Sequence, residues 1–501
     1  MNPRARTPSR PTAPRTPRRV GTTATEADEK YGLDWHGKRR ARQSAFTPPA
    51  TTLLPCPEQS VDWETTRNVV IEGDNLEALK LLRAGFTRKV KLIYIDPPYN
   101  TGKSLVYSDD FSDGIRSYLK RTGRAEDGLR GGDAETFGRF HTDWLNMMYP
   151  RLSVARELLE ARGILLVSIG DEELHNLRSI CDELFGPQNY CGMFVWEKKK
   201  KPSFLAPNMG AVTEYVIAYA RDRAHSPPFV AGAVEDGKKY PFNNAGNPLG
   251  VLRFPAGSVR FGCGDRRIRA QDMSRGNIKT RLLDDVTIAQ GVNQNPFRLE
   301  GEWRYSQATL DGFVADGAEL LISKVPFRPN YVHRRNASKK TSNLLSYRTN
   351  GVPTNEDATA EMRALFGADV MSYPKPTGLL KYLVRAITAD GDTIVDFFAG
   401  SGTTGVGVML QNLEDQGARR FILVQRPETL DARDPRQKVA AEFCRRIGKP
   451  ANIAELTKER LRRESLRLRG LHPHAHSDLG FRAFQLVAPA SRDPRNTQEL
   501  T

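Results

Sequence analysis

Four consecutive residues of this chain have the side chains to hold and activate a planar group that carries an amino group. Asp96, Pro97, Pro98 and Tyr99 directly follow the apolar run at 90–95. The prolines make the chain rigid and lack backbone donors, an ionised aspartate accepts hydrogen bonds, and a tyrosine ring offers a stacking face. Accepting both N–H bonds of an aromatic amine would bias its nitrogen towards sp3 geometry and its lone pair towards an electrophile. A plain Pro-Pro turn explains the prolines but leaves Asp96 and Tyr99 without a task.

A glycine-rich turn at 396–404 is the second group of residues suited to binding a ligand. Glycines allow the backbone to approach a ligand closely, and the start of the helix predicted after them favours negative groups. Gly400 and Gly402 also fit a dinucleotide-binding pattern, which expects an acid about 20 residues further on to bind a ribose. The next predicted strand ends in Gln425 instead, which disfavours a nicotinamide cofactor, although Glu428 lies nearby.

Both groups follow predicted strands of one α/β domain. Short apolar runs alternate with segments of helical periodicity, which is typical of a doubly wound domain with a mostly parallel sheet. The predicted strands lie at 67–72, 90–95, 164–169, 393–398 and 420–424, and the predicted helices at 75–83, 143–162 (capped by Gly163), 172–185, 379–389, 403–412 and 451–469. Ligands bind at the carboxyl ends of parallel strands, so the two groups are predicted to meet at one edge of the sheet.

The strand–helix alternation stops near residue 198 and returns after residue 350. The intervening segment is richer in Gly, Pro, Asn and Arg, and its short broken apolar runs predict a second lobe or a large insertion. Five regions are therefore predicted: a basic disordered arm and irregular lead-in at 1–62, the first half of the α/β domain at 63–197, the insertion at 198–350, the second half at 351–470 and a C-terminal tail at 471–501.

A basic charge balance predicts a polyanionic partner. The formal net charge is +16 and the pI is about 9.6, and so basic a surface attracts duplex DNA, RNA or anionic membranes. The basic clusters that could contact phosphates, or equally lie in solvated loops, are Lys198, Lys199, Lys200 and Lys201, then Arg334 and Arg335, then Lys339 and Lys340. No apolar run of about 18 residues predicts a membrane span, and no apolar stretch after the basic start predicts a signal peptide.

The cysteines predict a reducing compartment, the cytoplasm. They are scattered, odd in number and without a C-x-x-C pair, which argues against a disulfide framework and against a zinc site. The five are Cys56, Cys181, Cys191, Cys263 and Cys444. Histidines such as His141 and His175 are interpreted as structural, and no pattern indicates a metal.

The motifs, taken in order, resemble the β-group DNA amino-methyltransferases, in which an aspartate-first D-P-P-Y element precedes an F-x-G-x-G turn. The similarity is greatest to the modification subunits of type III restriction-modification systems, and it covers residues 65–225 and 372–465. The matching segments are 71–79 (IEGDNLEAL), 93–102 (IYIDPPYNTG), 141–145 (HTDWL), 213–215 (TEY), 375–379 (KPTGL), the glycine turn, 421–425 (FILVQ) and 458–460 (KER).

The resemblance implies a Rossmann-like methyltransferase fold in circular order, with a catalytic half, a target-recognition insertion and then a half that binds S-adenosylmethionine. It implies that Asp96 and the Pro97 carbonyl bind the target amine while Tyr99 stacks on the base. The residues implied in cofactor binding are Asp74 (adenosine), Lys375 (carboxylate), Phe398, Gly400, Gly402 and Thr403 (methionine end), Asp396 (support of that end) and Gln425, where many relatives have an acid for the ribose hydroxyls.

The resemblance also implies an activity, methylation of N6 of adenine in double-stranded DNA after base flipping. An Asp-first element favours adenine over cytosine N4, and relatives that methylate RNA or protein glutamine often carry Asn at that position. The implied partners are double-stranded DNA, a helicase-nuclease restriction subunit and a second copy of the chain in a homodimer, all in a prokaryotic cytoplasm. Two alternatives are a DNA-recognition subunit that mainly serves a nuclease and an orphan methyltransferase without one.

Overall fold

The computed structural model describes residues 32–101, 133–202, 208–233, 237–332 and 338–489. Arg334 and Arg335 of the predicted DNA contacts, and the basic arm at the start of the chain, lie outside the described residues. Of the helices in the described part of the chain, none is both long and apolar enough to cross a lipid bilayer.

The secondary structure is numbered in chain order. The described helices are α1 Lys38–Ser44, α2 Asn75–Phe86, α3 Asp133–Leu158, α4 Leu174–Phe185, α5 Gln307–Ala315, α6 Asn355–Phe366, α7 Thr377–Ile387, α8 Thr403–Asp415, α9 Lys438–Arg446 and α10 Ile453–Leu471. The described strands are β1 Thr52–Pro55, β2 Val69–Glu72, β3 Val90–Ile95, β4 Leu159–Ile169, β5 Tyr190–Glu197, β6 Thr213–Ala220, β7 Val230–Ala233, β8 Lys239–Pro241, β9 Leu249–Phe254, β10 Val259–Phe261, β11 Arg266–Ile268, β12 Gln271–Asp272, β13 Thr280–Leu282, β14 Val286–Ala289, β15 Val292–Asn293, β16 Phe297–Glu302, β17 Glu319–Ile322, β18 Asn330–Val332, β19 Ser338–Lys340, β20 Leu344–Leu345, β21 Thr393–Asp396, β22 Arg420–Gln425 and β23 Arg482–Val487.

A ten-stranded sheet in the order β1-β23-β2-β22-β21-β3-β4-β6-β5-β20 forms the centre of the molecule. From β23 to β4 all neighbours are parallel, whereas β6 is antiparallel to both β4 and β5. This mostly parallel sheet confirms the predicted fold class. The two chemically important turns follow β3 and β21, which are hydrogen-bonded neighbours, so the turns meet at the same edge.

Helices cover the sheet on both faces. Ile93 and Ile95 of β3 pack in a core with α2, α3 and α4, whereas Leu92 and Tyr94 of the same strand pack in a core with α7, α8 and α10. Because both faces of the strand are buried, its sequence is continuously apolar rather than alternating.

One predicted helix end is wrong. The helix α3 ends at Leu158 and β4 begins at Leu159, so Gly163 lies inside a strand and does not cap a helix. A Cβ atom at Gly163 would lie 2.9 Å from the carbonyl oxygens of Glu160 and Val90. The glycine therefore permits the close approach of β3 and β4 at an irregular point of their pairing.

The predicted insertion starts later than residue 198. The strand β6 belongs to the central sheet between β4 and β5, so the chain leaves this sheet only after Ala220, and β20 returns to its edge before residue 350. Between them, a seven-stranded and a four-stranded sheet surround a separate aromatic core that includes Phe254 and Phe297, stacked with ring centroids 5.0 Å apart. The composition shift near Lys198 therefore comes before β6, a strand that still belongs to the central sheet.

The predicted lead-in and C-terminal tail also contain regular structure. Within the predicted lead-in, α1 and β1 form, and within the predicted tail, β23 lies parallel to β2 and antiparallel to β1. Phe481, Ala483 and Phe484 are buried there. Strands of four and six residues that pair only with each other and with a distant strand give no local signal, so sequence periodicity did not identify them.

Candidate active site

Asp96 and Lys375 form the centre of the site at the carboxyl end of β3. The ammonium of Lys375 donates to both carboxylate oxygens of Asp96, at 2.8 and 2.7 Å. About a quarter (27%) of the Asp96 side chain is exposed, towards a cavity. Burial raises the pKa of Asp96, against the opposing effect of Lys375. Burial acts to lower the pKa of Lys375, but the carboxylates of Asp96 and Glu214 outweigh this effect. The pKa is raised, and the ammonium stays charged.

Glu214, at the start of β6, is a site residue to which sequence reasoning gave no role. Its carboxylate accepts the Tyr99 hydroxyl at 3.0 Å and the Lys198 ammonium at 3.0 Å, and it lies 3.6 Å from the Lys375 ammonium. Burial acts to raise its pKa, but Lys375 and Lys198 outweigh this effect and the pKa is lowered. A single glutamate at a strand start has no spacing pattern, and its place in the matching T-E-Y segment was the available signal.

The loop after β3 is fixed by polar contacts from α3 and α4. The Trp144 indole donates to the Pro98 carbonyl at 2.7 Å, so this carbonyl already has a hydrogen-bond partner within the protein. Asn100 has a left-handed backbone (φ 58°), and its amide donates to Glu173. His141 also hydrogen-bonds the fully buried Glu173, at 2.7 Å, which gives it a structural contact.

The glycine turn after β21 is organised by Asp396. The Asp396 carboxylate accepts the Phe398 backbone N–H at 3.0 Å and the Thr404 hydroxyl at 2.5 Å. Because it is almost completely buried, its pKa is raised to about 7. Gly402, at the start of α8, has φ 78°, a backbone conformation that favours glycine.

Gln425 also supports this turn. Its carboxamide oxygen accepts the Gly400 N–H at 2.7 Å, and its amide donates to the Arg426 carbonyl at 3.1 Å. The side chain that the resemblance places at the ribose therefore has two partners within the protein.

The helix α10 lies beneath the turn and explains the matching K-E-R segment. The fully buried Arg460 donates to the hydroxyls of Ser401 and Thr403, both at 2.7 Å, and to that of Thr377 at 3.0 Å. Burial lowers the pKa of Arg460. Lys458, also buried, donates to Glu72 at 2.7 Å. Sequence reasoning matched this segment but did not predict its contacts with the turn.

The two turns open on shared space. A cavity of about 480 Å³ is lined by both groups of residues: Tyr94 and Asp96 from the first strand, Lys375 and the 371–374 segment before it, Leu380, and Asp396, Phe398, Ala399, Gly400, Ser401, Thr403 and Thr404 from the glycine turn. A second cavity of about 340 Å³ is lined by Asp74, Asn75, Pro98, Phe397, Phe398, Gln425, Arg426 and Glu428. Phe398 lines both, so the two cavities adjoin at this residue.

Asp74 combines a structural contact with a place in the second cavity. Its carboxylate accepts the backbone N–H groups of Leu76 and Glu77, at 2.9 and 3.1 Å, and so caps the start of α2. Arg151 donates to its other oxygen at 3.4 Å.

Two of the predicted DNA-contacting lysines are paired inside the protein. Lys198 binds Glu214, and the Lys200 ammonium lies 2.6 Å from Asp357. Lys199 forms no ion pair with a described residue. DNA contact by this run stays a prediction. Among the described residues, no three His, Cys, Asp or Glu side chains are grouped so that they could hold a metal ion.

The Rossmann-like sheet, and the cavity that Asp96 shares with the glycine turn, define a methyltransferase that acts on amino groups. Residues 90–426 match the family described as DNA methylase, and the chain belongs to this family. It is thus a DNA methyltransferase with S-adenosylmethionine as its methyl donor, which confirms the family resemblance seen in the sequence.

Individual relatives narrow the similarity. The chain is 30% identical to the type III restriction-modification enzyme StyLTI Mod subunit of Salmonella typhimurium, over 93% of this chain and 68% of that protein. It is 29% identical to the EcoP15I Mod subunit of Escherichia coli, over 92% of this chain and 71% of that protein. Among solved structures, the PvuII DNA methyltransferase (cytosine-N4-specific) aligns with a TM-score of 0.35 and 13% identity, over 77% of this chain and 94% of that one.

The site has the features that the cofactor requires. A turn with positive-φ glycines at the start of α8 leaves backbone close to the first cavity, and the Lys375 ammonium reaches the same space. An anion such as a carboxylate is favoured by both features. The adjoining second cavity extends from Phe398 to Asp74 and Gln425.

Proposed function

We propose that the chain methylates N6 of adenine at a specific site in double-stranded DNA and is the modification and recognition subunit of a restriction-modification system. The observation that carries the proposal is that Asp96 and the glycine turn line one cavity. A base held by the first group then lies beside a methyl donor held by the second.

The mechanism begins with a flipped nucleotide, because an amino group inside a base stack is out of reach. Tyr99 stacks on the base, and Asp96 and the Pro97 carbonyl accept its two amino hydrogens. The Pro98 carbonyl already accepts the indole N–H of Trp144, which favours the Pro97 carbonyl as the second acceptor. Bound S-adenosylmethionine supplies an electrophilic methyl group on a sulfonium. The chain places the amine in line with it.

Asp96 also provides for the proton that the nitrogen must lose. When the new N–CH3 bond forms and the S–CH3 bond breaks, the nitrogen becomes cationic and one of its N–H protons must leave. The carboxylate that already accepts this N–H is the nearest base. Its pKa is raised by burial, which favours the uptake of a proton.

Apart from Gly402, which shapes the turn but lines neither cavity, the residues proposed for the cofactor divide between the two cavities. Phe398, Gly400, Gly402 and Thr403 hold the methionine end, supported by Asp396, and Lys375 faces its carboxylate. In the second cavity Asp74 lies against the adenosine. Gln425 acts mainly by accepting the Gly400 N–H, and any hydrogen bond that it makes to the ribose is additional to this one.

We propose adenine rather than cytosine N4 as the target because Asp96 begins the D-P-P-Y element, as in the adenine-specific relatives that the sequence resembles. The lobe between β6 and β20 is proposed to read the target sequence. Because the relatives named above are Mod subunits of type III enzymes, we further propose a helicase-nuclease partner and a homodimer.

Long-read sequencing of DNA from cells that express the chain tests the proposal, because it reports the modified base and its sequence context together. N6-methyladenine in one recurrent motif is expected, and it should be absent from cells that express Asp96→Ala. N4-methylcytosine in its place would refute the base assignment. Copurification with the product of a neighbouring helicase-nuclease gene would support the subunit role, and its absence would favour an orphan enzyme.

A further inference from the structure

The ammonium of Lys375 occupies space that the proposed target base needs. It lies 5.0 Å from the centre of the Tyr99 ring and binds both oxygens of Asp96. A base stacked on Tyr99, with its amine on Asp96, would have to share that volume with a buried cation. Given the proposed function, Lys375 must therefore move when the base enters.

A buried ammonium that leaves its carboxylate needs another one, because an unpaired buried charge is strongly unfavourable. Among the described residues, Glu214 carries the next carboxylate within reach, 3.6 Å from the Lys375 ammonium, and its side chain is 11% exposed. The cofactor carboxylate proposed to face Lys375 would be a further partner, but Glu214 is the one that the protein itself supplies. The centre of the Trp196 ring lies 6.0 Å from the same ammonium.

We propose that Glu214 is a positioning residue that takes over Lys375 when Asp96 receives the target amine. The movement needed is small, since the ammonium already lies between the two carboxylates. It frees Asp96 to accept hydrogens from the base, and it keeps the buried cation paired throughout.

The other contacts of Glu214 suit this role. Its Oε2 atom faces Lys375 and accepts the Tyr99 hydroxyl, while its Oε1 atom binds Lys198. The glutamate is thus fixed from two sides and holds the stacking ring in place. Counted with Asp96, the cluster contains two carboxylates and two ammonium groups, so the exchange changes no net charge.

The experiment measures base flipping directly, without turnover. A duplex that carries the motif found by sequencing, with 2-aminopurine next to the intact target adenine, brightens when that adenine leaves the stack. The non-reactive cofactor analogue sinefungin is present throughout. We expect Glu214→Gln to lower the equilibrium constant for flipping about tenfold or more. A decrease of this size is consistent with the loss of a hydrogen bond to a charged group.

A double variant separates the takeover from a general loss of structure. If Glu214 acts by holding Lys375, then Glu214→Gln should change flipping much less in a Lys375→Met background than in the wild type. Lys198→Met removes the other ammonium of Glu214 and is the matched control; in that background Glu214→Gln should still lower flipping, because Lys375 is still present and still needs a second carboxylate. Calorimetric binding of sinefungin to Glu214→Gln should stay within about twofold of the wild type, which a collapsed site would not allow.

Three results would overturn the inference. Equal flipping by Glu214→Gln and the wild type would show that Lys375 needs no second carboxylate. An undiminished effect in the Lys375→Met background would show that Glu214 acts through another contact, with Tyr99→Phe as the background that identifies it. Absence of any 2-aminopurine signal in the wild type would refute base flipping, and with it both the proposed mechanism and this inference.

Discussion

The Lys375 ammonium is 2.8 and 2.7 Å from the two carboxylate oxygens of Asp96, although the residues are 279 positions apart in the sequence. This ion pair joins the half of the domain that carries the D-P-P-Y element to the half that carries the glycine turn. Thr403 extends the connection, since its hydroxyl donates to the Lys375 carbonyl at 3.2 Å. A substitution of Asp96 or of Lys375 should therefore alter contacts in both turns.

Replacement of Asp96 by alanine should abolish methylation and leave DNA binding intact. The variant loses the acceptor for the target amine and for its proton, and we expect the turnover rate to fall by a factor of about 10³ or more, as for other lost contacts to developing charge. Lys375 keeps Glu214 as a partner, so the fold should survive. Radiolabelled methyl transfer and a gel-shift assay measure the two properties.

Asp369→Ala is the matched control for that prediction, because its carboxylate is half-exposed and pairs with Arg363 outside the site. It should methylate at the wild-type rate. Normal turnover by Asp96→Ala would mean that the catalytic assignment is wrong.

Alanine at Gly402 should weaken cofactor binding. The position has φ 78°, and a Cβ atom would lie 3.2 Å from the Thr457 methyl group. Thr457 in turn donates its hydroxyl to the Gly400 carbonyl at 2.5 Å, so a displaced Thr457 disturbs the turn. We expect a loss of about 1–2 kcal/mol of stability from the left-handed backbone and a severalfold higher Kd for S-adenosylmethionine by calorimetry.

Gly448→Ala separates these two effects. Gly448 has a similar φ of 68°, but nothing lies within 4 Å of the place of its Cβ. It should lose similar stability and keep wild-type cofactor affinity. If both variants bound the cofactor equally well, the turn would not have the binding role proposed for it.

The sequence could predict the catalytic edge of the sheet because its signals are local. A continuously apolar strand followed by Asp96 and two prolines, and another followed by Gly400, are each complete within ten residues. Their meeting follows from the rule that parallel strands present their carboxyl ends together. The neighbouring positions of β3 and β21 confirm it.

The parts of the fold and of the site that the sequence did not predict depend on contacts between distant segments. Glu214 and Arg460 are ordinary charged residues in the sequence, and their roles arise only when β6 and α10 are placed beside the turns. The strand β23 is stabilised by β1 and β2, more than 400 positions away. Gly163 shows the opposite error, since a pattern typical of a helix end instead marks a close approach of two strands.

Replacement of Arg460 by methionine should destabilise the protein more than its position on a charged helix suggests. Its guanidinium is buried and binds the hydroxyls of Ser401, Thr403 and Thr377. Removal of this donor leaves buried hydroxyls with fewer hydrogen-bond partners, which costs up to about 3 kcal/mol. The free energy of unfolding in urea measures the loss, and a reduced cofactor affinity should accompany it.

Arg469→Met on the same helix is the control for that change. This arginine is 44% exposed at its side chain and pairs with Asp62, which is 37% exposed, and such exposed pairs contribute less than about 1 kcal/mol. An equal loss from both variants would contradict the role of Arg460 beneath the turn.

The pH dependence of stability should report on Asp396. Burial raises the pKa of this carboxyl to about 7 in the folded protein, from an ordinary value of 3.8. The folded state therefore binds the proton more tightly than the unfolded state, and the stability that this proton provides is complete below pH 3.8 and is lost as the pH rises to about 7.

Asp396→Asn has no such proton to lose. Its amide oxygen can still accept the Phe398 N–H, and its amide can donate to Thr404. Relative to the wild type, the variant should therefore gain on the order of 2 kcal/mol in unfolding free energy between pH 5 and pH 8. Urea unfolding at the two pH values measures this difference, and a difference that is the same at both would show that Asp396 is ionised throughout.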